Sequence, residues 1–123
     1  MLERKNYTAL APAAGPYSHS VIHNNVLYTS GLSAFGGKAE GENIGAQARD
    51  IFAQLKVICK AHDTTLANLI KVTLFVSDMS EILLLREVLF DIYGTDLPAS
   101  SLIKVSGLFS DQINIEIEAI IAL

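Results

Sequence analysis

The sequence predicts a mixed β-sheet that carries two helices on one face. Two stretches, about 44–61 and 80–93, repeat apolar residues at helical spacing. Residues 21–30, 70–76 and 113–122 instead alternate or enrich β-branched residues, as half-buried strands do. The order is hairpin, helix, strand, helix, strand, strand. Right-handed crossovers then put both helices on the same side of the sheet.

The elements follow in order. Residues 7–20 form a turn-rich segment, Ala11-Pro12-Ala13-Ala14-Gly15-Pro16-Tyr17-Ser18, whose prolines restrict the backbone. Val21-Ile22-His23 and Val26-Leu27-Tyr28-Thr29-Ser30 flank Asn24-Asn25, the non-glycine pair best suited to left-handed turn geometry. Gly31 and the pair Gly36-Gly37 mark a loop. A helix is expected from Ile44 to Ala61, with Asn43 as N-cap and Lys60 and His62 near its C-terminus. Its apolar stripe is Ile44, Ala48, Ile51, Phe52, Leu55, Ile58 and Cys59. A strand from Ile70 to Val76 comes next. Asp78 with Glu81 reads as a capping box for a second helix, Ser80 to Tyr93, closed by Gly94. The leucines of that helix cover more than one face, so part of it is expected to meet another subunit. Leu97–Val105 opens on Pro98 and is expected to pair with Ile113–Ala122. In the latter, Glu116 and Glu118 share one face while Ile115, Ile117 and Ala119 share the other. The two carboxylates and Ser100-Ser101 would then form one wall of a polar cleft.

At 123 residues the chain is expected to be one domain with a proper core. Half of it is apolar, only 18% is charged and the mean hydropathy is +0.37. No window reaches the roughly 18 apolar residues of a membrane span, so the surplus points to a subunit interface on the helix-free side of the sheet. The net charge of -4 argues against nucleic acid, which wants a basic face. The polar start Met1-Leu2-Glu3-Arg4-Lys5-Asn6 is unlike a signal peptide, and a lone Cys59 cannot make an internal disulfide. A reducing cytoplasm is expected.

Few residues carry an obvious chemistry. His19 and His23 are four apart in extended sequence, where that spacing does not aim two rings at one metal. Cys59 lies on the buried stripe and reads as an inert thiol. Ser30 lacks a nucleophile-elbow setting, and no glycine run opens a helix to cradle phosphate. No metal or cofactor is expected. By default Glu116 and Glu118 are a solvated strand face, raised to water-positioning or acid–base groups only by proximity to a cleft.

Five segments resemble the RidA/YjgF family. They are Ala11–Ser18, Tyr28-Thr29-Ser30-Gly31, Ile70–Asp78, Leu97-Pro98-Ala99-Ser100-Ser101 and Ile115-Glu116-Ile117-Glu118-Ala119, in order and with matching spacing over nearly the whole chain. The resemblance implies an α+β, chorismate-mutase-like fold and a homotrimer whose sheets form a central barrel. Three small-molecule clefts would lie between subunits. It also implies hydrolysis of enamine/imine intermediates, such as 2-aminoacrylate, to 2-keto acids and ammonia. Some members carry older labels of endoribonuclease or translation inhibitor. Tyr17 matches the family tyrosine of the cleft rim and Ser30 the serine after the second strand. Glu116 matches the glutamate that positions the attacking water, and Glu118 its acidic neighbour.

Four positions depart from the deaminase pattern. Pro-Ala-Arg-Ser is here Pro98-Ala99-Ser100-Ser101, so the arginine that grips the substrate carboxylate is absent. Leu102 replaces a cysteine, Leu32 a glutamine, and Arg86 an asparagine on the second helix. A guanidinium holds a carboxylate through two charge-assisted hydrogen bonds of about 1.5–3 kcal/mol each. Serine in its place should cost roughly tenfold to a hundredfold in anion affinity. Lys104 lies about 13 Å along the strand and is a poor replacement. Three readings stay open: an altered family member binding another small metabolite, a working 2-iminobutanoate/2-iminopropanoate deaminase with Arg86 as substitute clamp, and a non-catalytic regulatory or protein-binding trimer.

Overall fold

A computed structural model describes residues 1–123. Its strands and helices are β1 (Glu3–Lys5), β2 (Ser20–His23), β3 (Val26–Thr29), α1 (Ile44–Ala61), β4 (Leu69–Val76), α2 (Ile82–Tyr93), β5 (Ala99–Lys104) and β6 (Ile115–Ala122). A 3-10 turn over Leu66–Asn68 leads into β4. The two helices and the mixed six-stranded sheet are the α+β arrangement expected from the sequence.

Local chemistry explains the boundaries. Asn24 and Asn25 both take positive φ (51° and 60°), which twists the two-residue turn to match the right-handed twist of its strands. At the start of α1 the Asn43 side chain accepts the Ala46 N–H at 2.9 Å, and every residue of the expected apolar stripe is buried. Gly94 ends α2 at φ 61°, where a side chain would be strained.

Two expectations are corrected. Strand β5 pairs with β4 in parallel, not with β6, and the order is β1-β2-β3-β6-β4-β5. The connection through α2 supplies the crossover that a parallel pair requires. Strand β6 runs antiparallel to both its neighbours, β3 and β4. It buries Ile115, Ile117, Ala119 and Ile121 against the helices. The capping box also fails to form. Asp78 accepts from the Ser80 N–H at 3.0 Å and the Ser80 hydroxyl at 2.7 Å, so its short side chain is satisfied within its own turn. Helix α2 consequently starts at Ile82, and the Glu81 carboxylate accepts from the Ile44 N–H at the start of α1. Strand β1 is an addition; three residues without apolar alternation give no strand signal.

The core is a single layer between sheet and helices. Leu27, Val72, Leu74, Val76 and the four apolar residues of β6 meet the α1 stripe and Leu85 and Val88 of α2. Burying each large aliphatic side chain contributes about 1.5–3 kcal/mol. The opposite face of the sheet carries Tyr28, Lys71, Thr73, Phe75, Glu116 and Glu118, with no helix over it. Strand β5 is covered on neither face: five of its six residues are exposed.

Candidate functional site

One cavity of about 410 Å³ lies between the 9–17 segment, the loop after β3 and one flank of α1. Tyr17 and Ser30 both line it. Tyr17 is folded over by its own turn, its hydroxyl accepting from the Ala14 N–H at 3.2 Å. Ser30 donates its hydroxyl to the Ser18 carbonyl at 2.6 Å, which ties the end of β3 to the 9–17 segment. Its backbone N–H reaches the His19 carbonyl at 3.0 Å.

The segment that forms the rim is anchored by His19, whose spacing from His23 gave no metal pattern. His19 is buried. Its Nδ1 accepts from the Tyr7 N–H at 2.9 Å, so the proton sits on Nε2 and is donated to the Ala11 carbonyl at 2.9 Å. The ring also stacks on Tyr7, and the Tyr7 hydroxyl meets Ser20 at 2.6 Å and His62 at 2.8 Å. This is a structural histidine with both nitrogens engaged. Its signal in the sequence was its place beside a fixed turn, which carries no chemical motif.

Glu116 does not line the cavity, but its carboxylate packs on Gly31, which does. A Cβ at position 31 would overlap the Glu116 Oε1 atom, so the glycine is what leaves room for the carboxylate. Burial, and then the Glu118 charge, push the Glu116 carboxyl above the ordinary carboxylate range, and no hydrogen bond offsets them. A half-buried carboxylate with a raised pKa is suited to holding a water or exchanging a proton. Glu118 itself is exposed, beside Thr73 and Lys71 in a smaller cleft on the helix-free face.

The other two candidates lie elsewhere. Ser100 pairs with Val72, whose side chain is in the core, so Ser100 projects to the helix side of the sheet and Glu116 to the other. With β4 between their strands, Ser100 and Glu116 of one chain form no common wall. Ser101 is the member of the serine pair that shares the Glu116 face. Arg86 is exposed on α2, and neither ion pair of the chain involves it. Cys59 is buried and its thiol is pushed up by that burial, consistent with an inert core residue.

Comparison with known proteins agrees with this architecture. A family model described as endoribonuclease L-PSP matches residues 8–123. The chain is 35% identical over 120 residues to the 2-iminobutanoate/2-iminopropanoate deaminase of Escherichia coli K12, covering 92% of each. It is 33% identical over 118 residues to a RutC family protein of Pyrococcus horikoshii, covering 93% of each. The crystal structure of RidA from an Antarctic Psychrobacter superposes with a TM-score of 0.86 at 29% identity, over 98% of this chain and all of that one. The chain therefore belongs to the endoribonuclease L-PSP family, the RidA/YjgF group of proteins.

Proposed function

We propose that residues 1–123 act as one RidA/YjgF-type unit of a cytoplasmic homotrimer that binds a small metabolite between subunits, with weakened or absent enamine/imine deaminase activity. The observation that carries this is the pairing of a prepared acid with a missing clamp. Glu116 is half-buried against Gly31, where burial and then the Glu118 charge push its carboxyl up, while position 100 holds a serine. In the proposed site Glu116 places a water, Tyr17 and Ser30 shape the rim, and Glu118 keeps the Glu116 proton available. Ser100 would come from a neighbouring subunit, because within one chain it faces away. That arrangement would also cover the exposed β5. Without a guanidinium at position 100 a substrate carboxylate is not held, and both affinity and turnover should fall.

A second reading has one observation in its favour. Arg86 is exposed and free of ion pairs on the outer side of α2, so it is available to a neighbour's cleft. The test is keto-acid release from enzymatically generated 2-aminoacrylate by the native protein, Ser100→Arg and Arg86→Ala. Low native activity raised by Ser100→Arg is the expected result. Native activity equal to that of an arginine-containing relative, and lost in Arg86→Ala, would favour the substitute clamp. Inactivity of all three would leave a binding or regulatory role.

A further inference from the structure

We propose that the cavity beside Tyr17 and Ser30 takes a small organic cation, an ammonium on an apolar or aromatic body, rather than an anion. The inference deepens the metabolite-binding reading above and rests on its choice of cavity. The chemistry of the walls carries it. Among the residues lining this cavity there is no lysine or arginine, and there is one carboxylate, Asp50 of α1. Lys38 follows the lining residue Gly37 in sequence but is not part of the wall.

Asp50 is held in place for such a role. Gln54, one turn along α1, donates to Asp50 Oδ2 at 3.0 Å and to the Ser33 carbonyl at 2.9 Å. The carboxylate stands beside Gly37, where even a Cβ would remain 3.9 Å from both oxygens. One oxygen is thus fixed by an amide, and Asp50 is only half-buried in the cavity wall, which leaves the other oxygen to a ligand. An anionic ligand here would meet Asp50, with Glu116 beyond Gly31, and no lysine or arginine in the wall that this chain supplies. A cation would meet a partner already oriented.

The apolar wall points the same way. Phe35 and Phe109 pack edge to face with ring centroids 4.7 Å apart, yet Phe35 is 45% and Phe109 71% exposed. Both line the cavity, together with Leu32, which stands where the deaminase pattern has glutamine. Aromatic faces attract a nearby cation and supply apolar area for its body. The cavity volume falls within the range of small-molecule sites. The serine at position 100 is consistent with a ligand that brings no carboxylate.

The test is calorimetric titration of the whole protein with 2-phenylethylammonium and with 3-phenylpropionate, which share a ring and differ in the sign of their charge. The native protein should bind the ammonium at least about tenfold more tightly. Asp50→Asn should lower ammonium affinity roughly ten- to a hundredfold and erase the preference. Asp50→Glu, which keeps the charge, should retain it, and Phe109→Ala should weaken both ligands. Equal or tighter binding of the carboxylate would overturn the proposal, as would no binding of either ligand or ammonium affinity unchanged in Asp50→Asn. The readout is independent of deaminase activity. Turnover of 2-aminoacrylate without ammonium binding would reject the cation site alone, and ammonium binding without turnover in any variant would reject the deaminase chemistry alone.

Discussion

The two edges of the sheet are finished to different degrees. Around β1, β2 and the 9–17 segment, polar groups are paired: His19 uses both ring nitrogens, Tyr7 bridges Ser20 and His62, and Ser30 is tied to Ser18. At the other edge, β5 has one free side and exposes Leu102 and Ile103, with Leu97 just before it and Leu83 and Phe90 on the outer face of α2. An apolar strand with an open edge invites pairing with another chain unless something covers it. The first region is built to hold a shape alone. The second has the character of a surface awaiting a partner, and a second copy of this chain is the occupant proposed above.

The sharpest way to break that contrast uses two leucines that face each other. Leu74 of β4 is 1% exposed and pairs with Leu102 of β5, which is 40% exposed. Leu74→Ala should cost about 2–5 kcal/mol, the usual range for emptying a core position. It should do so at any protein concentration. Leu102→Ala should cost little in the isolated chain and show its effect as a concentration-dependent loss of stability or assembly. Urea unfolding at two concentrations, with sedimentation equilibrium, separates the cases. A native species near the 13.3 kDa chain mass would remove the partner from β5 and from Ser100 alike.

Next in size is Gly31→Ala. The added methyl would strike the end of the Glu116 side chain, a group able to rotate away. Overpacking typically costs about 1–3 kcal/mol, and the flexible neighbour should keep this one near the low end. Any Glu116-dependent keto-acid release, in the native background or in Ser100→Arg, should fall much further than stability does. Activity that survives Gly31→Ala would detach Glu116 from the chemistry. Smaller again is Tyr7→Phe. It leaves Ser20 and His62 without a shared partner at a part-buried site, for about 1 kcal/mol. A thermal-melt comparison with Tyr28→Phe, an exposed tyrosine on the helix-free face, checks it.

What the sequence revealed divides along the same physical lines. Face assignments were legible wherever one side of an element is buried: the α1 stripe and the isoleucines of β6 sit as their periodicity required. The Asn24-Asn25 turn and Gly94 were legible because their backbone angles restrict residue choice. Neighbour relations were not. Alternation in β6 says which way Glu116 points and nothing about whether β4 or β5 lies alongside, and the wrong neighbour put Ser100 in the same wall as Glu116. The roles of Gly31 and His19 were hidden for a similar reason, since each depends on a contact with a distant part of the chain. Asp78 was misread because two local partners, Ser80 and the helix start, competed for one carboxylate.

The smallest predicted effect concerns the Glu116 proton. Its carboxyl is raised in the folded protein by burial and by Glu118. The unfolded chain therefore ionises it at a lower pH than the folded chain does, and releases the proton more readily. Any stability this residue contributes is fully present below the unfolded pKa and is lost as pH rises through the folded pKa. Above both values the folded state holds a half-buried charge beside another. Glu116→Gln should then be slightly more stable than the native protein near neutral pH, with the difference shrinking on acidification below the folded pKa. Glu118→Gln should do part of the same by removing the second cause, and should move the Glu116 titration down. Carboxyl titration followed by NMR, with urea midpoints at pH 7 and pH 4, gives both readings. A Glu116 that titrates in the ordinary range in native protein, or a neutral-pH stability that falls in Glu116→Gln, would mean that the fold does not disfavour its carboxylate. The prepared-acid half of the proposed site would then lose its physical basis, while the exposed β5 half would stand unchanged.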